Sequence, residues 1–395
     1  MKKFGTVPIL LFVLALTIPV FASPLKLQLT GTGITNTFVQ EQVENILENL
    51  YGVKPQIDPL PSFSLLPYQN KQLFTRIKFP NTEATSLRLL LSSEKAPTFR
   101  NALLLFSDHP EILHENGLLF SAGLIFLRPV RLNYYHQNGS GEPPRAVVIR
   151  VDNKSDEPAL IHILEARSGP SRDDMSTGHQ ASLWFLERHQ QNLGRIETIP
   201  PNDYLVISRQ VAQPGELVTG FIELEELKGH PLQIGVFSED PANLAHNRSF
   251  LLDSNDTHAR GAYEMSNLSI NTGYTVGDSP KIIPLGDLPL SNLLQGEPLK
   301  GAYGMLWEGN LYLSNPFPTA AKVPIYFQPR GGVATATFVL NGLYKEIPVT
   351  KPYENPILIE LSLPPQSEQK LHFLTMPEGG SSYPVRLIIG RMENI

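Results

Sequence analysis

The chain has 395 residues, with 38 acidic and 32 basic side chains, a formal net charge of −6 and no cysteine. A mildly acidic chain without a basic run is not built to bind nucleic acid or an anionic lipid surface. The absence of cysteine excludes disulfides, thiolate metal sites, iron–sulfur clusters and thiol nucleophiles. Proline accounts for 35 residues, well above a usual share of about 5%, which favours short elements separated by turns.

The first 22 residues have the pattern of a signal peptide. Lys2 and Lys3 precede an apolar run over residues 7–21, and the small residues Val20 and Ala22 stand where a signal peptidase requires them. The run is shorter than the ~20 residues of a membrane span. We therefore expect cleavage after Ala22 and a secreted or periplasmic mature protein. An uncleaved N-terminal anchor is the alternative, and it also places the mature part outside the cytoplasm.

The pattern from residue 23 to residue 107 indicates a small α+β segment. A helix is expected from the capping box of Thr37 and Gln40, with an apolar stripe behind it and a stop at Gly52. The strands expected around this helix are Leu25–Leu29, Leu73–Phe79, Leu87–Ser92 and Ala102–Phe106.

From about residue 115, short apolar runs recur every ten residues or so between Gly, Pro, Asn and Asp, which is typical of β-sandwiches. One helix, expected over residues 177–192 with Thr177 as its cap, interrupts them. The sequence predicts a mainly β protein with two tandem Ig-like β-sandwich domains behind the small α+β segment. The boundaries expected are 108–250 for the first sandwich, 251–300 for a linker with the first strands of the second module, and 301–395 for the second sandwich. The clearest expected strands are Arg145–Asp152, Ala159–Leu164, Leu232–Phe237, Ile357–Leu363 and Val385–Ile389.

An internal echo supports a duplicated module. Asn153 and Asn315 each end an alternating apolar strand, and Ala159 and Ala321 follow six residues later at the start of another apolar run. An asparagine there tolerates a turn conformation and bonds its own backbone two residues on. The stretch Val151–Ala159 resembles the V-x-N-x-x-x-x-P-A stretch of Ig-like modules in exported bacterial proteins. That resemblance implies a spacer, an adhesive unit or a carbohydrate-facing accessory; the alternative is that any two sandwiches share such turns.

Two Arg–Gly turns follow the repeated strands and are the first candidate ligand site. They contain Arg167 with Gly169 and Arg330 with Gly331. A guanidinium fork suits carboxylate or phosphate groups, so an acidic cell-envelope polymer is a candidate ligand. The alternative is that each arginine pairs with a nearby Asp or Glu.

Aromatic residues form the second candidate site. Tyr134, Tyr135 and His136 end a strand, and Trp184 lies on the inserted helix. Exposed aromatic faces would make a platform for sugar rings. Buried, the same residues would belong to the core.

Metal-binding patterns are weak. Asp253, Asn255 and Glu264 occupy positions of a calcium loop, but His258 stands where that loop needs glycine, which favours a solvated linker. Asp108, His109, Glu111 and His114 cluster after Phe106, as in a polar surface loop or, less simply, a set of metal ligands. We expect neither a metal nor a cofactor.

The catalytic motifs that the sequence suggests are incomplete. The Gly31-Thr32-Gly33 turn before the first helix has Asn36 where a dinucleotide-binding turn needs its third glycine. The S-x-x-K pattern occurs twice, at Ser92–Lys95 and Ser367–Lys370, each time without a K-T-G partner.

The sequence therefore favours a non-catalytic envelope protein that binds or scaffolds an extracellular polymer or protein, without nucleic acid. The alternative is a glycan-acting hydrolase or lyase whose carboxylates meet only in the fold. A deep, aromatic-lined pocket with two acidic side chains would favour that enzyme. An assembly or adhesion subunit with a long unpaired edge strand is a third possibility.

Overall fold

The computed structural model describes residues 23–97, 102–125, 128–229, 232–242, 249–294 and 296–392. The expected signal peptide, residues 1–22, lies outside the described residues. The fold is mainly β, as the sequence predicts: of the described residues, 53% lie in strands and 10% in helices, and they form two α-helices and several sheets. Among the described residues, no helix is both long and apolar enough to cross a membrane.

The first part of the chain packs one helix on the end of a large sheet. Its elements are β1 (Leu25–Thr30), β2 (Ile34–Thr35), α1 (Asn36–Tyr51), β3 (Gln56–Ile57), β4 (Ser64–Leu65), β5 (Asn70–Lys78) and β6 (Thr85–Glu94). The apolar stripe of α1, including Phe38, Val43 and Leu47, is buried against alternate residues of β1, β5 and β6. This burial, rather than helix propensity alone, holds α1 in place.

The middle part of the chain supplies eleven strands and the second helix. They are β7 (Leu103–Ser107), β8 (Ile112–Leu113), β9 (Gly117–Gly123), β10 (Val130–Asn138), β11 (Arg145–Asn153), β12 (Ala159–Ser171), α2 (Asp174–Gln191), β13 (Gly194–Ile199), β14 (Asp203–Ala212), β15 (Leu217–Lys228), β16 (Leu232–Glu239) and β17 (Arg260–Tyr263).

The last part supplies nine strands and one short 3-10 turn, Lys300–Ala302. The strands are β18 (Asn267–Thr275), β19 (Lys281–Leu285), β20 (Leu306–Asn315), β21 (Ala321–Pro329), β22 (Ala334–Leu340), β23 (Leu343–Thr350), β24 (Ile357–Leu363), β25 (Ser367–Thr375) and β26 (Val385–Ile389).

β2 and β4 form a small sheet of their own, and the other strands form two pairs of facing sheets, which we call the first and second sheet pairs. The first pair joins a sheet in the order β17-β7-β10-β15-β12-β13-β1-β6-β5-β3 to a sheet in the order β14-β11-β16-β9. The second joins β18-β20-β25-β22-β23 to β19-β26-β21-β24. Inward-facing apolar side chains of both sheets share one core within each pair, as in sheet-on-sheet packing.

Residues 23–107, the expected α+β segment, share a sheet with the first sheet pair. β1 pairs with β13, so the sheet beneath α1 continues into the sheet of β12 and β15. β7, inside the segment expected over 23–107, pairs with β10. β17, inside the expected linker, pairs with β7. The sequence boundaries at residues 107 and 250 therefore cut through hydrogen-bonded strand pairs.

Asn153 and Asn315 make the same hydrogen bonds. The Nδ2 of Asn153 donates to the carbonyls of Glu157, Ile199 and Pro200, at 2.8, 3.2 and 3.0 Å. The Nδ2 of Asn315 donates to Thr319, Leu363 and Pro364, at 2.9, 3.3 and 2.8 Å. Each Oδ1 accepts from the backbone N–H two residues later, as expected for such turns.

Strand pairing around the two asparagines also corresponds. β11 pairs with β14 and β12 with β13 and β15; β20 pairs with β25 and β21 with β24 and β26. The sheet pairs differ at other neighbours, since β25 also pairs with β22, whereas β14 is an edge strand of its sheet. β16 lies antiparallel beside β11, whereas β18 lies parallel beside β20.

Both helix starts differ from the sequence expectation. The cap of α1 is Thr35, whose Oγ1 accepts from the N–H of Phe38 at 3.4 Å, and not Thr37. The cap of α2 is Asp173, whose carboxylate accepts from the N–H of Ser176 at 3.0 Å; Thr177 instead donates to the carbonyl of Asp173. In both cases an earlier acceptor side chain reaches a free N–H of the first turn. The stop of α1 at Gly52 is confirmed by its left-handed conformation.

Helix α2 lies between the sheet pairs. Its buried face, with Ala181, Phe185 and Leu186, packs on β12 and β15 on one side and on residues of β20, β22 and β25 on the other. Gly178 meets the loop over residues 376–384, which we call the joining loop. A Cβ on Gly178 would lie 1.8 Å from the carbonyl oxygen of Gly379, so only glycine permits this approach.

Candidate functional site

A cavity lined by residues from both sheet pairs lies where the first sheet pair, α2 and the joining loop meet. It has a volume of about 370 Å³. Asp108 and Glu111 reach it from the segment after β7, Asn133 and Tyr135 from β10, and Asp174 from the first turn of α2. Phe106, His258, Tyr303 and residues 379–382 of the joining loop complete the lining. Both sheet pairs thus contribute walls.

Acidic side chains dominate this cavity. Asp108, Glu111 and Asp174 line it, and among the described lining residues His258 is the one basic side chain. The Nε2 of His258 lies 3.1 Å from Glu111 Oε2, and its Nδ1 lies 2.6 Å from Asp256 Oδ1. Asp256 also accepts the N–H of Glu111 at 2.7 Å. The lining therefore contains three carboxyl groups and one imidazole, and that imidazole is already bonded to Glu111 and Asp256.

Burial and mutual repulsion raise the pKa values of the lining acids. Burial raises the pKa of Asp108 well above its ordinary value, and the negative charges of Glu111 and Asp256 add to the rise. Burial also raises the pKa of Glu111, against the opposing effect of His258. The pKa of Asp174 is raised by partial burial and by its neighbour Asp173. Burial and mutual repulsion therefore favour the neutral forms of these acids, and a cation bound beside them would favour the ionised forms.

Aromatic rings form one side of the cavity. Phe106 and Tyr303 are stacked, with ring centroids 6.4 Å apart and an angle of 21° between their planes. The hydroxyl of Tyr303 donates to the carbonyl of Ser381 at 2.6 Å, which fixes that ring against the joining loop. Tyr135 lies against Gly379, where a Cβ would come within 3.0 Å of its ring.

Strand alternation separates the aromatic candidates on β10. Tyr135 faces the cavity. Tyr134 and His136 point to the opposite side and are fully buried. The hydroxyl of Tyr134 donates to Gln210 Oε1 at 2.6 Å, and the ring nitrogens of His136 bond Ser107 Oγ and the carbonyl of Pro110, both at 2.9 Å. Burial lowers the pKa of His136 to about 4. Of these three residues, the structure brings Tyr135 alone to the cavity.

Arg167 lies inside the protein. Its Nη2 donates to Asn45 Oδ1 and Glu48 Oε2, both at 2.6 Å, and its Nη1 donates to the carbonyl of Arg209 at 2.9 Å. These bonds connect α1 to the first sheet pair. Arg167 is thus paired with a nearby acid, as the alternative interpretation of the sequence had it. Gly169 adopts a left-handed conformation, and a Cβ there would lie 2.4 Å from the carbonyl of Leu217.

Arg330 and Trp184 lie away from the cavity. The guanidinium of Arg330 stacks over the Tyr353 ring at 4.6 Å, and the neighbouring Gly331 packs against the backbone of Tyr383. Trp184 is exposed on α2. The structure does not bring the two Arg–Gly turns, Trp184 and Tyr135 into one surface.

The calcium-loop residues form local turns. Asp253 Oδ1 accepts from the N–H of Asn255 at 2.9 Å, and Glu264 is exposed. Among the residues that the structure describes, no group of three His, Asp or Glu side chains is arranged to hold a metal ion. Of the polar cluster after Phe106, Asp108 and Glu111 reach the cavity, whereas His114 bonds Glu142 at 3.2 Å.

Sequence reasoning missed Asn133, Asp174, Tyr303 and Ser381 as neighbours of Asp108. Asn133 and Tyr135 have the alternate spacing of one strand face, which was a usable signal. The other residues come from α2, the segment after the 3-10 turn and the joining loop, and only the tertiary fold brings them there.

A larger cavity of about 910 Å³ lies at the outer end of the second sheet pair, near Phe317. Its charged lining residues, Asp278, Lys322 and Arg391, are of mixed sign. It belongs to one sheet pair, whereas the acidic cavity combines residues of both with α2.

Comparisons with known proteins do not assign a family. No family model matches the chain, and no curated protein matches it. Solved structures that it matches include the M60 catalytic domain with the CBM51-1 and CBM51-2 domains from Clostridium perfringens ZmpB, at 5% identity and a TM-score of 0.14, covering 86% of this chain and 43% of that one. Another is Lac15 from a marine microbial metagenome, at 9% identity and a TM-score of 0.15, covering 85% of this chain and 76% of that one. The chain spans less than half the length of the first, and TM-scores this low do not establish a shared fold.

Proposed function

We propose that the protein is an exported, non-catalytic binding protein that holds an extracellular or cell-envelope ligand in the cavity between its two sheet pairs. The observation that carries this proposal is the composition of the cavity wall. Side chains of β10, α2, the segment after β7 and the joining loop converge there, and concave sites with few polar groups commonly lie where domains meet.

The proposal includes two Ig-like modules that arose by duplication. Its support is the matched hydrogen bonding of Asn153 and Asn315 and the matched strand pairing around them. A duplicated scaffold that meets across α2 would create a new cavity without a new fold.

Export is proposed from the sequence of residues 1–22. Expression of the full chain in a bacterial host, followed by mass measurement of the mature protein, tests it. Cleavage after Ala22 and recovery outside the cytoplasm are expected. Recovery of the full-length chain in the cytoplasm would contradict export.

The cavity does not favour an acidic polymer as the ligand. Arg167 is already bonded to Glu48 and Asn45, and the cavity itself presents carboxyl groups. We therefore propose a neutral or cationic ligand, or a polymer that carries such groups.

Retention of the mature protein on purified cell-envelope fractions tests the binding proposal. Ser382→Phe would fill the cavity, and Ser269→Phe, at an exposed position on β18, adds the same ring elsewhere. Retention lost in the first variant and kept in the second is expected. Equal retention of the two variants would overturn the cavity as the binding site, and retention lost in an Arg167→Ala, Arg330→Ala variant alone would return the site to the Arg–Gly turns.

A second candidate is a glycan-acting hydrolase or lyase. The observation that favours it is the pairing of Asp108, whose pKa is raised by burial, with Glu111 in one aromatic-lined cavity. Glycosidases use one protonated and one ionised carboxyl group. Release of reducing sugar from envelope glycans by the intact protein, abolished in Asp108→Asn, would establish this function; intact glycans after prolonged incubation would exclude it.

A further inference from the structure

We propose that the cavity recognises a primary ammonium group on a small, sugar-sized ligand. The inference deepens the proposed function, since it rests on the cavity being a binding site, and it names the chemistry of the ligand.

The charge of the lining is the first step. Asp108, Glu111 and Asp174 line the cavity, and the lining residues that the structure describes contain neither lysine nor arginine. His258 is bonded to Glu111 and Asp256. A ligand that enters therefore meets more carboxyl groups than the lining has basic side chains to pair with them. A cationic group on the ligand would be attracted to these carboxyl groups.

Two buried oxygens without partners are the second step. Asp108 Oδ1 and Asn133 Oδ1 are inaccessible and have no hydrogen-bond partner among the described residues. Asn133 is only 4% exposed and lines the cavity beside Tyr303. Buried polar atoms are nearly always bonded in native proteins, so these two oxygens require a donor that the described residues do not supply, either from water or from a bound group. An ammonium group offers three donors and no acceptor.

The aromatic wall is the third step. Tyr135 and Tyr303 border the same space as the carboxyl groups. Aromatic faces attract cations, most strongly where water is excluded. The rings would also cover the carbon skeleton that carries the ammonium group.

The size of the cavity limits the ligand. A volume of about 370 Å³ lies at the lower end of the range for small-molecule sites. It accommodates one amino sugar or a comparable amine, and a polymer would enter by a single residue.

Calorimetric titration of the intact mature protein with glucosamine and glucose tests the inference. The two sugars differ by an ammonium group in place of one hydroxyl. Binding of glucosamine at least roughly tenfold tighter than glucose is expected, with n-butylamine competing and n-butanol not competing.

Two variants localise the effect. Asp108→Asn replaces the buried carboxyl group, which can ionise beside an ammonium group, with an amide that cannot, and is expected to weaken glucosamine binding by roughly tenfold or more. Asp174→Asn keeps the fold, because Asp174 is exposed at the first turn of α2, and a weaker loss is expected. Asp287→Asn, at an exposed position that does not line the cavity, is the matched control and should bind as the unaltered protein does.

Equal affinity for glucose and glucosamine would overturn the ammonium inference and leave the proposed function standing. The same holds if millimolar Ca²⁺ binds the carboxyl groups and no amine does. If envelope retention is unaffected by Ser382→Phe, the proposed function itself fails, so the two failures are distinguishable.

Discussion

Asn153 and Asn315 each close a buried strand, and each side chain bonds three carbonyl oxygens of the following segments. Both are about 1% exposed. Substitution by alanine would leave those buried carbonyl groups without donors, which costs roughly 1–3 kcal/mol per site.

Chemical denaturation of Asn153→Ala and Asn315→Ala measures this loss. Because the two bonding patterns match, we expect similar losses in the free energy of unfolding at the two sites. Asn271→Ala, at an exposed position on β18, should change it by less than about 0.5 kcal/mol. A large loss at one asparagine and none at the other would contradict their equivalence.

His179 makes the junction between α2 and the second sheet pair sensitive to pH. Its Nδ1 lies 2.8 Å from Glu378 Oε2 and its Nε2 lies 2.9 Å from Glu346 Oε2. The bond to Glu378, with the charges of both glutamates, raises the pKa of His179 to about 9. An unfolded histidine has a pKa near ~6.5, so the stabilisation is complete below that pH and is lost as the pH rises through 9.

Thermal unfolding between pH 6 and pH 9.5 tests this (a range of roughly three units around the shifted pKa). The difference in stability between the unaltered protein and His179→Gln should be largest at the lower pH and should vanish at the upper one. Its size should stay below about 3 kcal/mol, because Glu346 is largely exposed. A difference that does not change with pH would rule out the proton-dependent pair.

At the level of single residues, strand β10 shows what the sequence could tell. The alternation of side chains along β10 could be predicted from the sequence. The sequence did not indicate which face of the strand meets solvent, the core or the cavity. Tyr134 and His136 were grouped with Tyr135 because all three are aromatic neighbours in the chain. The fold turns two of them inward and one towards Asp108, and a one-residue change of register would have reversed this.

Among the elements, α2 connects the two sheet pairs. Its residues Gly178 and His179 both contact the joining loop, through Gly379 and Glu378 respectively. Alanine is a better helix former than glycine by roughly 0.5–1 kcal/mol. At Gly178, however, the added Cβ would overlap the Gly379 carbonyl, so the substitution must move backbone.

We therefore expect Gly178→Ala to lower the melting temperature and to increase proteolysis of the joining loop. Gly141→Ala, where nothing lies within 4 Å of the added Cβ, is the control and should be neutral or slightly stabilising. A gain in stability for Gly178→Ala, as helix propensity alone predicts, would refute the backbone contact.

The elements also show why most strands could be predicted and the sheets could not. The apolar periods of β11, β24 and β26 were visible in the sequence, and their predicted bounds agree with the structure to within a residue. Pairing between β1 and β13, or between β7 and β17, joins residues more than 150 positions apart. Local periodicity contains no signal for such pairs, so the expected domain boundaries cut across them.

On the scale of the whole molecule, a buried arginine that is ion-paired within the first sheet pair also bonds the segments that lead into the second. Arg131 on β10 donates from Nε to Glu223 Oε1 at 2.8 Å, and its Nη1 donates to the carbonyls of Ser266 and Gly304 at 2.7 and 3.1 Å. Burial alone would raise the pKa of Glu223, but Arg131 and His189 outweigh it and lower the pKa to about 2. The pair is therefore ionised within the protein.

Arg131→Met would leave the Glu223 charge buried beside fewer partners, at a cost of about 3–5 kcal/mol. We expect calorimetry to show one unfolding transition for the unaltered protein and two for this variant, because the contacts of Arg131 with Ser266 and Gly304 are lost. The double variant Arg131→Met, Glu223→Met should recover part of the stability without restoring the single transition. A single transition in all three proteins would contradict the coupling.

The close approach of Gly178 and Gly379 has a consequence for recognition. Main chain rests on main chain at one wall of the acidic cavity, with no long side chain between them that could rearrange. If the cavity is the binding site proposed above, its walls would keep their spacing when a guest arrives, and little ordering entropy would be lost on binding. Selection would then rest on rigid fit, with an oversized guest rejected by steric exclusion and a smaller one leaving gaps.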